Sequence, residues 1–301
     1  MNAINIAVIG SNGYLGRHLV QYLEQQGIQA DCYDIVPEPF AAGLTERYRQ
    51  LDLRSKEEIA AFSGNYDLIY FFSGLTGTDV SFEKYSDFIG VNELGLLNLL
   101  DHLRGLEKRP KIIFPSTRLV YKGEKDTPLT EEAEKEFKTI YASSKYNGEL
   151  YLEMYRNLFG IEYTVFRVCV PYGNLFSDNQ SYGTLSFFLG KARSGEAITL
   201  FGDGELKRTF THVEDVCRQM AAVAVLPQSS GECYNIAGET FSLREVAGQI
   251  SGKFGVGLQF TEWPQKALLL ESGDTIFAGD KISGLLQPAT LHNLTQWIAQ
   301  Q

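Results

Sequence analysis

Along the first 170 residues the apolar positions form short continuous runs that alternate with helical faces. Ile4, Ile6, Ala7, Val8 and Ile9 make the first run, which predicts a short buried strand. His18–Gln26 follows as a predicted helix with Leu19, Tyr22 and Leu23 on one face. Further strands are predicted over Gln29–Asp34, Tyr48–Leu53, Asp67–Phe72, Lys111–Phe114 and Ile161–Val168, the last running on into Val170-Pro171-Tyr172-Gly173. Between them, Ser86–Leu103 carries Val91, Leu94, Leu97 and Leu100 at helical spacing, and Tyr141–Phe159 reads as a second long helix. Strands that alternate with helices predict an α/β chain: a doubly wound parallel sheet, the Rossmann fold, with helices on both faces.

The texture changes after Gly173. A polar loop over Asn174–Gly183 leads to predicted helices at Leu185–Ala192, Val213–Leu226, Ser242–Phe254 and Pro288–Ala299, with short strands at Ala197–Phe201 and Cys233–Ile236. Ser242 and Glu245 have capping-box spacing. We therefore divide the chain into a dinucleotide-binding unit over 1–173, with a returning segment near 212–236, and a smaller C-terminal α/β substrate-binding unit over 174–301.

Composition narrows the function. A net charge of −10 argues against nucleic acid and anionic membrane surfaces as partners. No apolar run is long enough to span a bilayer, and the N-terminus reads as a strand rather than a signal peptide. Cys32, Cys169, Cys217 and Cys233 show no C-x-x-C pairing and suit buried thiols in a reducing, cytoplasmic setting. His18, His102, His212 and His292 are scattered, so no metal site is expected.

The first strand runs straight into Gly10-Ser11-Asn12-Gly13-Tyr14-Leu15-Gly16 and then a helix. Strand, glycine turn and helix are the context a dinucleotide needs: Gly10 for the tight turn, Gly13 for close approach of a pyrophosphate, Gly16 for close packing of helix on strand. The helix N-terminus adds free N–H groups for the phosphates. Asp34, about 20 residues on, can accept from the adenosine ribose hydroxyls and would repel a 2′-phosphate, which favours NAD over NADP. Arg17 could weaken that preference, but we read it as a solvated helix residue.

Tyr141 and Lys145 lie four apart and share a helix face. An ammonium there favours a phenolate, which can serve as acid or base toward a substrate hydroxyl. Thr117, at the end of the preceding strand, could bind the same hydroxyl. With 16 tyrosines in the chain, roughly one Y-x-x-x-K match arises by chance, so placement matters more than pattern. Tyr121 and Lys125 form a competing match, but Gly123 lies inside it in a loop-like stretch.

With these residues the chain resembles an extended short-chain dehydrogenase/reductase of the NAD-dependent epimerase/dehydratase family, whose members mostly act on nucleotide sugars. The resemblance also runs through Asp52-Leu53, Asn92, Ser116-Thr117 before Val120-Tyr121, Arg167, Gly202-Asp203-Gly204 with Arg208, Phe210–Val216 and Tyr234-Asn235-Ile236. It implies a cofactor set of Gly10, Asn12, Gly13, Tyr14, Leu15, Gly16, Asp34, Asp52, Leu53, Phe72, Ser73, Gly74, Asn92, Ser116, Tyr141, Lys145 and Val170. Taken alone, Asn92 would read as a solvated helix residue. The implied substrate set is Thr76, Thr117, Arg118, Tyr141, Tyr182 and Arg208, with Arg208 on a phosphate. Thr117, Tyr141 and Lys145 would be catalytic.

Two departures bear on the reaction. Where dehydratases of the family carry Asp-Glu after the threonine, this chain has Arg118-Leu119, and leucine cannot abstract a proton. Val170 stands where many members place an asparagine that meets the nucleotide phosphates. The leading expectation is an NAD-dependent nucleotide-sugar epimerase working at sugar C4 through a 4-keto sugar. A 4-keto-nucleotide-sugar reductase using the same residues is the rival, and a non-catalytic dinucleotide sensor a distant third. The resemblance also implies a homodimer through the two long helices.

Overall fold

The computed structural model describes residues 4–176 and 183–301. Its strands, in chain order, are β1 Ile6–Ile9, β2 Asp31–Asp34, β3 Tyr48–Gln50, β4 Leu68–Phe71, β5 Lys111–Thr117, β6 Pro128–Leu129, β7 Tyr163–Val168, β8 Val170–Tyr172, β9 Ile198–Phe201, β10 Lys207–His212, β11 Glu232–Asn235, β12 Glu239–Ser242, β13 Leu258–Thr261 and β14 Ile276–Phe277. Seven of them form the central sheet in the order β11-β7-β5-β4-β1-β2-β3, and every pair in it is parallel. The chain winds outward from β1 through β2 to β3, then returns beside β1 with β4 and winds the other way. The crevice at the carboxyl ends of β1 and β4 is thus the topological switch point, where such sheets bind ligands.

Alternate side chains of the buried strands feed two cores, one on each face. Val8, Leu19, Tyr70, Ile113, Phe166, Val216 and Met220 share one; Ile9, Phe71, Phe114, Leu99 and Leu152 share the other. The first helix, Tyr14–Gln25, starts four residues earlier than its apolar face predicts, because it begins directly at Gly13. β11 adds to the edge of the main sheet beside β7, preceded by helix Val213–Ala224, which packs on the first helix.

A third core gathers Val170, Tyr172, Leu185, Phe188, Ile198, Phe210 and Val246. It is built on the β12-β10-β8 sheet, the β13-β9 pair and helices Gly183–Arg193 and Leu243–Phe254. The Ser242–Glu245 capping box is present, each side chain binding the other's backbone N–H. Among the described residues no helix is long and apolar enough to cross a membrane.

The predicted helix over Ser86–Leu103 is interrupted. Tyr85–Phe88 and Gly95–Leu103 are α-helical, but Ile89–Leu94 is a π-helical turn. The wider turn shifts the facing of the residues after it, and Asn92 sits inside it.

Candidate active site

Gly10 closes the first strand with φ +87°, in the left-handed region. A Cβ there would lie 2.4 Å from the Ser73 backbone nitrogen, so the turn packs directly on the loop after β4. At Gly16 a Cβ would lie 2.1 Å from the Gly10 carbonyl oxygen, which is why the helix can close onto the turn. Gly13 is the N-cap of that helix, and a Cβ on it would meet nothing closer than 3.3 Å. That contact, with the Gly10 carbonyl oxygen, is tight but far milder than the one at Gly16.

Asp34 ends β2 beside this turn, and its Oδ2 accepts from the Asn12 N–H at 2.9 Å. The Asn12 side chain donates to the Glu38 carbonyl at 2.7 Å and accepts from the Phe40 N–H at 3.1 Å. Tyr14 reaches to the residue after β8, its hydroxyl donating to the Gly173 carbonyl at 2.8 Å. A bare glycine edge, a helix N-terminus and a carboxylate at the end of the second strand fit a dinucleotide with free ribose hydroxyls. Asp52 is already bound in both oxygens by Arg54, and Leu53 is buried with its carbonyl accepting from Asn98.

The solvated reading of Asn92 is overturned: the residue is 3% exposed. Its Oδ1 accepts from the Leu75 N–H at 2.7 Å, and its Nδ2 donates to the Leu75 carbonyl at 3.0 Å and to the Ser144 hydroxyl at 3.1 Å. One carboxamide thus fixes the Phe72-Ser73-Gly74-Leu75 loop to the helix that carries Tyr141 and Lys145. Thr76, beyond that clamp, is exposed.

That helix, Ile140–Phe159, is capped by Thr139, whose hydroxyl accepts from the Ala142 N–H at 3.0 Å, and ends at Gly160 with φ +69°. The cap sets Tyr141 in the first turn and Lys145 one turn on, against β5. Lys145 is 7% exposed, with Nζ 4.1 Å from the centre of the Phe114 ring. Burial pushes its ammonium down to about 7, against the pull of the Glu149 carboxylate. Thr117 ends β5; its Oγ1 accepts from the Leu119 N–H at 3.3 Å, which leaves the hydroxyl proton for a ligand oxygen. The competing tyrosine, Tyr121, is fully buried and donates to Asn235 at 2.7 Å.

The Ser116 side chain has a distant partner. Strand alternation turns it toward the helix side, where it donates to Glu149 at 2.5 Å. Glu149 also accepts from Arg167 Nε at 3.1 Å and Nη2 at 2.6 Å, and Arg167 donates onward to Tyr121 and the Glu131 carbonyl. The Ser116 side chain belongs to this buried ionic network. Val170 is likewise packed into the third core at 7% exposure and offers no polar contact.

Arg208 is also placed differently from the expectation. It is 2% exposed, with its fork on Glu271 at 2.5 Å and on the carbonyls of Gly273 at 2.6 Å and Lys207 at 2.8 Å. Glu271, 63 positions away in sequence, accepts from Nη2, and the two carbonyls take Nη1. Arg118 lies near this pair and Tyr141. Tyr182 lies outside the described residues.

Two further features were not legible in the chain. Arg17 is buried, not solvated: it donates to Asn174 Oδ1 at 3.1 Å, and its guanidinium lies 4.2 Å from the Phe176 ring centre. The scattered histidines also converge. His212 and His292 stack at 4.2 Å, with Glu214 beside them, His292 Nδ1 3.0 Å from Asp215 and His212 Nδ1 accepting from the Glu214 N–H at 3.4 Å.

The model of the NAD dependent epimerase/dehydratase family matches residues 6–237. The chain is 24% identical to a CDP-paratose 2-epimerase of Salmonella typhi, over 92% of this chain and 91% of that one. It is 27% identical to a putative UDP-glucose 4-epimerase of Methanocaldococcus jannaschii, over 71% of each. Its fold is similar to that of the UDP-glucose 4-epimerase of Thermotoga maritima solved with UDP-glucose, with a TM-score of 0.84, 22% identity and coverage of 98% of this chain and 96% of that one.

Proposed function

The chain belongs to the NAD dependent epimerase/dehydratase family, and on that premise we propose that it is a nucleotide-sugar epimerase acting at sugar C4. What supports this reading is the pair Tyr141 and Lys145, one turn apart on a helix held by Thr139 and Asn92, with Lys145 packed on Phe114 of β5, the strand that ends at Thr117. NAD, when bound along Gly10–Gly16 and Asp34, supplies a reversible hydride acceptor.

Tyr141 is the acid–base group: as phenolate it takes the C4 hydroxyl proton while C4 becomes a ketone, and it gives the proton back when the alcohol re-forms. Thr117 donates to the same oxygen in both states. Lys145 lies one helical turn behind Tyr141, where its ammonium favours the phenolate. Leu119, where a dehydratase needs a base, removes the elimination route and leaves reversal of configuration. Helices Tyr85–Leu103 and Ile140–Phe159 expose Ile89, Leu94, Met154 and Leu158, surfaces that a second copy would cover in a homodimer.

The test is Tyr141→Phe. The variant should bind NAD as the parent does and lose turnover by about a thousandfold or more. Near-full activity would sink the role given to Tyr141.

A further inference from the structure

Arg118 differs from Arg167 and Arg54 in one respect. Arg167 closes its Nε/Nη2 edge on Glu149, and Arg54 closes the same edge on Asp52. That edge is the one that holds a carboxylate by two parallel hydrogen bonds. Arg118 donates only through Nη1, to the hydroxyls of Ser272 at 3.3 Å and Thr275 at 3.4 Å, both long and both neutral. Among the described residues no carboxylate oxygen lies within 4.0 Å of its guanidinium. The nearby carboxylate, Glu271, is committed to Arg208 at 2.5 Å and to the Gly273 N–H at 3.1 Å.

Glu271 is thus paired with Arg208 and not with Arg118, and the Arg118 charge, near Tyr141, has no carboxylate partner among the described residues. Burial, and then the like charge of Arg208, push the Arg118 guanidinium down to about 10, the sign of a cation short of a counter-charge. In a chain of net charge −10 this is a local reversal. Its place in the chain says which part of a ligand it meets. Arg118 follows Thr117 directly, so it serves the reacting end of the sugar. A nucleotide's diphosphate is separated from that end by the width of the sugar ring, whereas a substituent on the neighbouring carbon is one bond away.

We infer that Arg118 is a specificity residue whose Nε/Nη2 edge pairs a carboxylate carried by the sugar, so that the substrate class is a nucleotide-linked uronic acid. This rests on the reading of the site as one for nucleotide sugars, and binding is measured apart from turnover so that the two can fail separately. The probes are glucuronate and glucose, each linked to UDP, CDP and dTDP, titrated calorimetrically into the NAD-loaded full-length protein. Within at least one nucleotide pair the glucuronate form should bind about tenfold or more tightly than the glucose form. Arg118→Gln should bring that ratio to near one, and Arg118→Lys should keep part of it; both should retain NAD and the parent's melting temperature.

Binding of a glucuronate form without turnover would uphold Arg118's role and fail the epimerase reading. Equal affinity for the two sugars in the parent protein, or no binding of any glucuronate form, would overturn the inference. So would a loss in Arg118→Gln shared equally by both sugars, which would place the guanidinium on the diphosphate they have in common. A shift in the pH–rate profile of the variant with an unchanged glucuronate-to-glucose ratio would overturn it too, by making Arg118 a charge that acts on Tyr141 alone.

Discussion

Asn92 and Leu75 are locked by a two-way amide pair, N–H to Oδ1 at 2.7 Å and Nδ2 to carbonyl at 3.0 Å. The same carboxamide holds Ser144, next to the lysine of the proposed catalytic pair. Asn92→Ala would leave both main-chain groups of Leu75 without their partner and should lower stability by about 1–3 kcal/mol. It should also weaken NAD binding, since the loop it holds backs the glycine turn. Chemical denaturation with a parallel NAD titration checks both; unchanged stability would mean that the loop is held by something other than Asn92.

Gly13 and Gly16 should separate under the same substitution. At Gly16 a methyl would meet the Gly10 carbonyl oxygen at 2.1 Å, so Gly16→Ala should lose about 1–3 kcal/mol of stability and loosen the turn. At Gly13 the nearest atom is 3.3 Å away and φ is −67°. Gly13→Ala should therefore cost less stability than Gly16→Ala and yet bind NAD about tenfold or more weakly. An alanine at 13 that left NAD affinity untouched would take the pyrophosphate away from this turn.

The stacked histidines set an acid limit. Burial first, and then the neighbouring His292 charge, lower His212 from 6.5 to about 4, partly offset by Asp215. Between those values the unfolded chain binds the proton more readily than the folded one. The contribution is thus fully present above pH 6.5 and is lost as the pH falls toward 4. It amounts to about 3 kcal/mol at roughly 1.4 kcal/mol per pKa unit. Urea unfolding at several pH values should show that fall, and His212→Gln should remove most of it. An equal fall in the variant would assign the acid sensitivity to other groups.

How far the chain could be read depended on the range of the interactions. Runs such as Ile6–Ile9 and Tyr163–Val168 are buried on both faces, so apolar continuity alone marks them as strands of a parallel sheet. The glycine turn and the Tyr141–Lys145 spacing are local, and the structure sets them where a strand-turn-helix order requires. The polar residues were harder. Nothing near Asn92 reveals the π-helical turn that buries it. Ser116 and Thr117 are neighbours, and only the partner 33 residues away shows that Ser116 faces Glu149. The pairing of Arg208 with Glu271, 63 positions away, is likewise beyond the reach of the local sequence. The two-residue strands β6 and β14, which pair with each other, carry too short a pattern to register.

The central claim is that this chain keeps its cofactor and recycles it. The most direct measurement is the nucleotide released when the purified protein is denatured, identified by chromatography and absorbance, alongside the NADH balance during turnover of a nucleotide sugar. Near-stoichiometric NAD or NADH should be released from the protein, with no net change in NADH as the sugar turns over. An empty protein that oxidises one NADH or NADPH for each keto-sugar nucleotide would contradict it and make the enzyme a reductase.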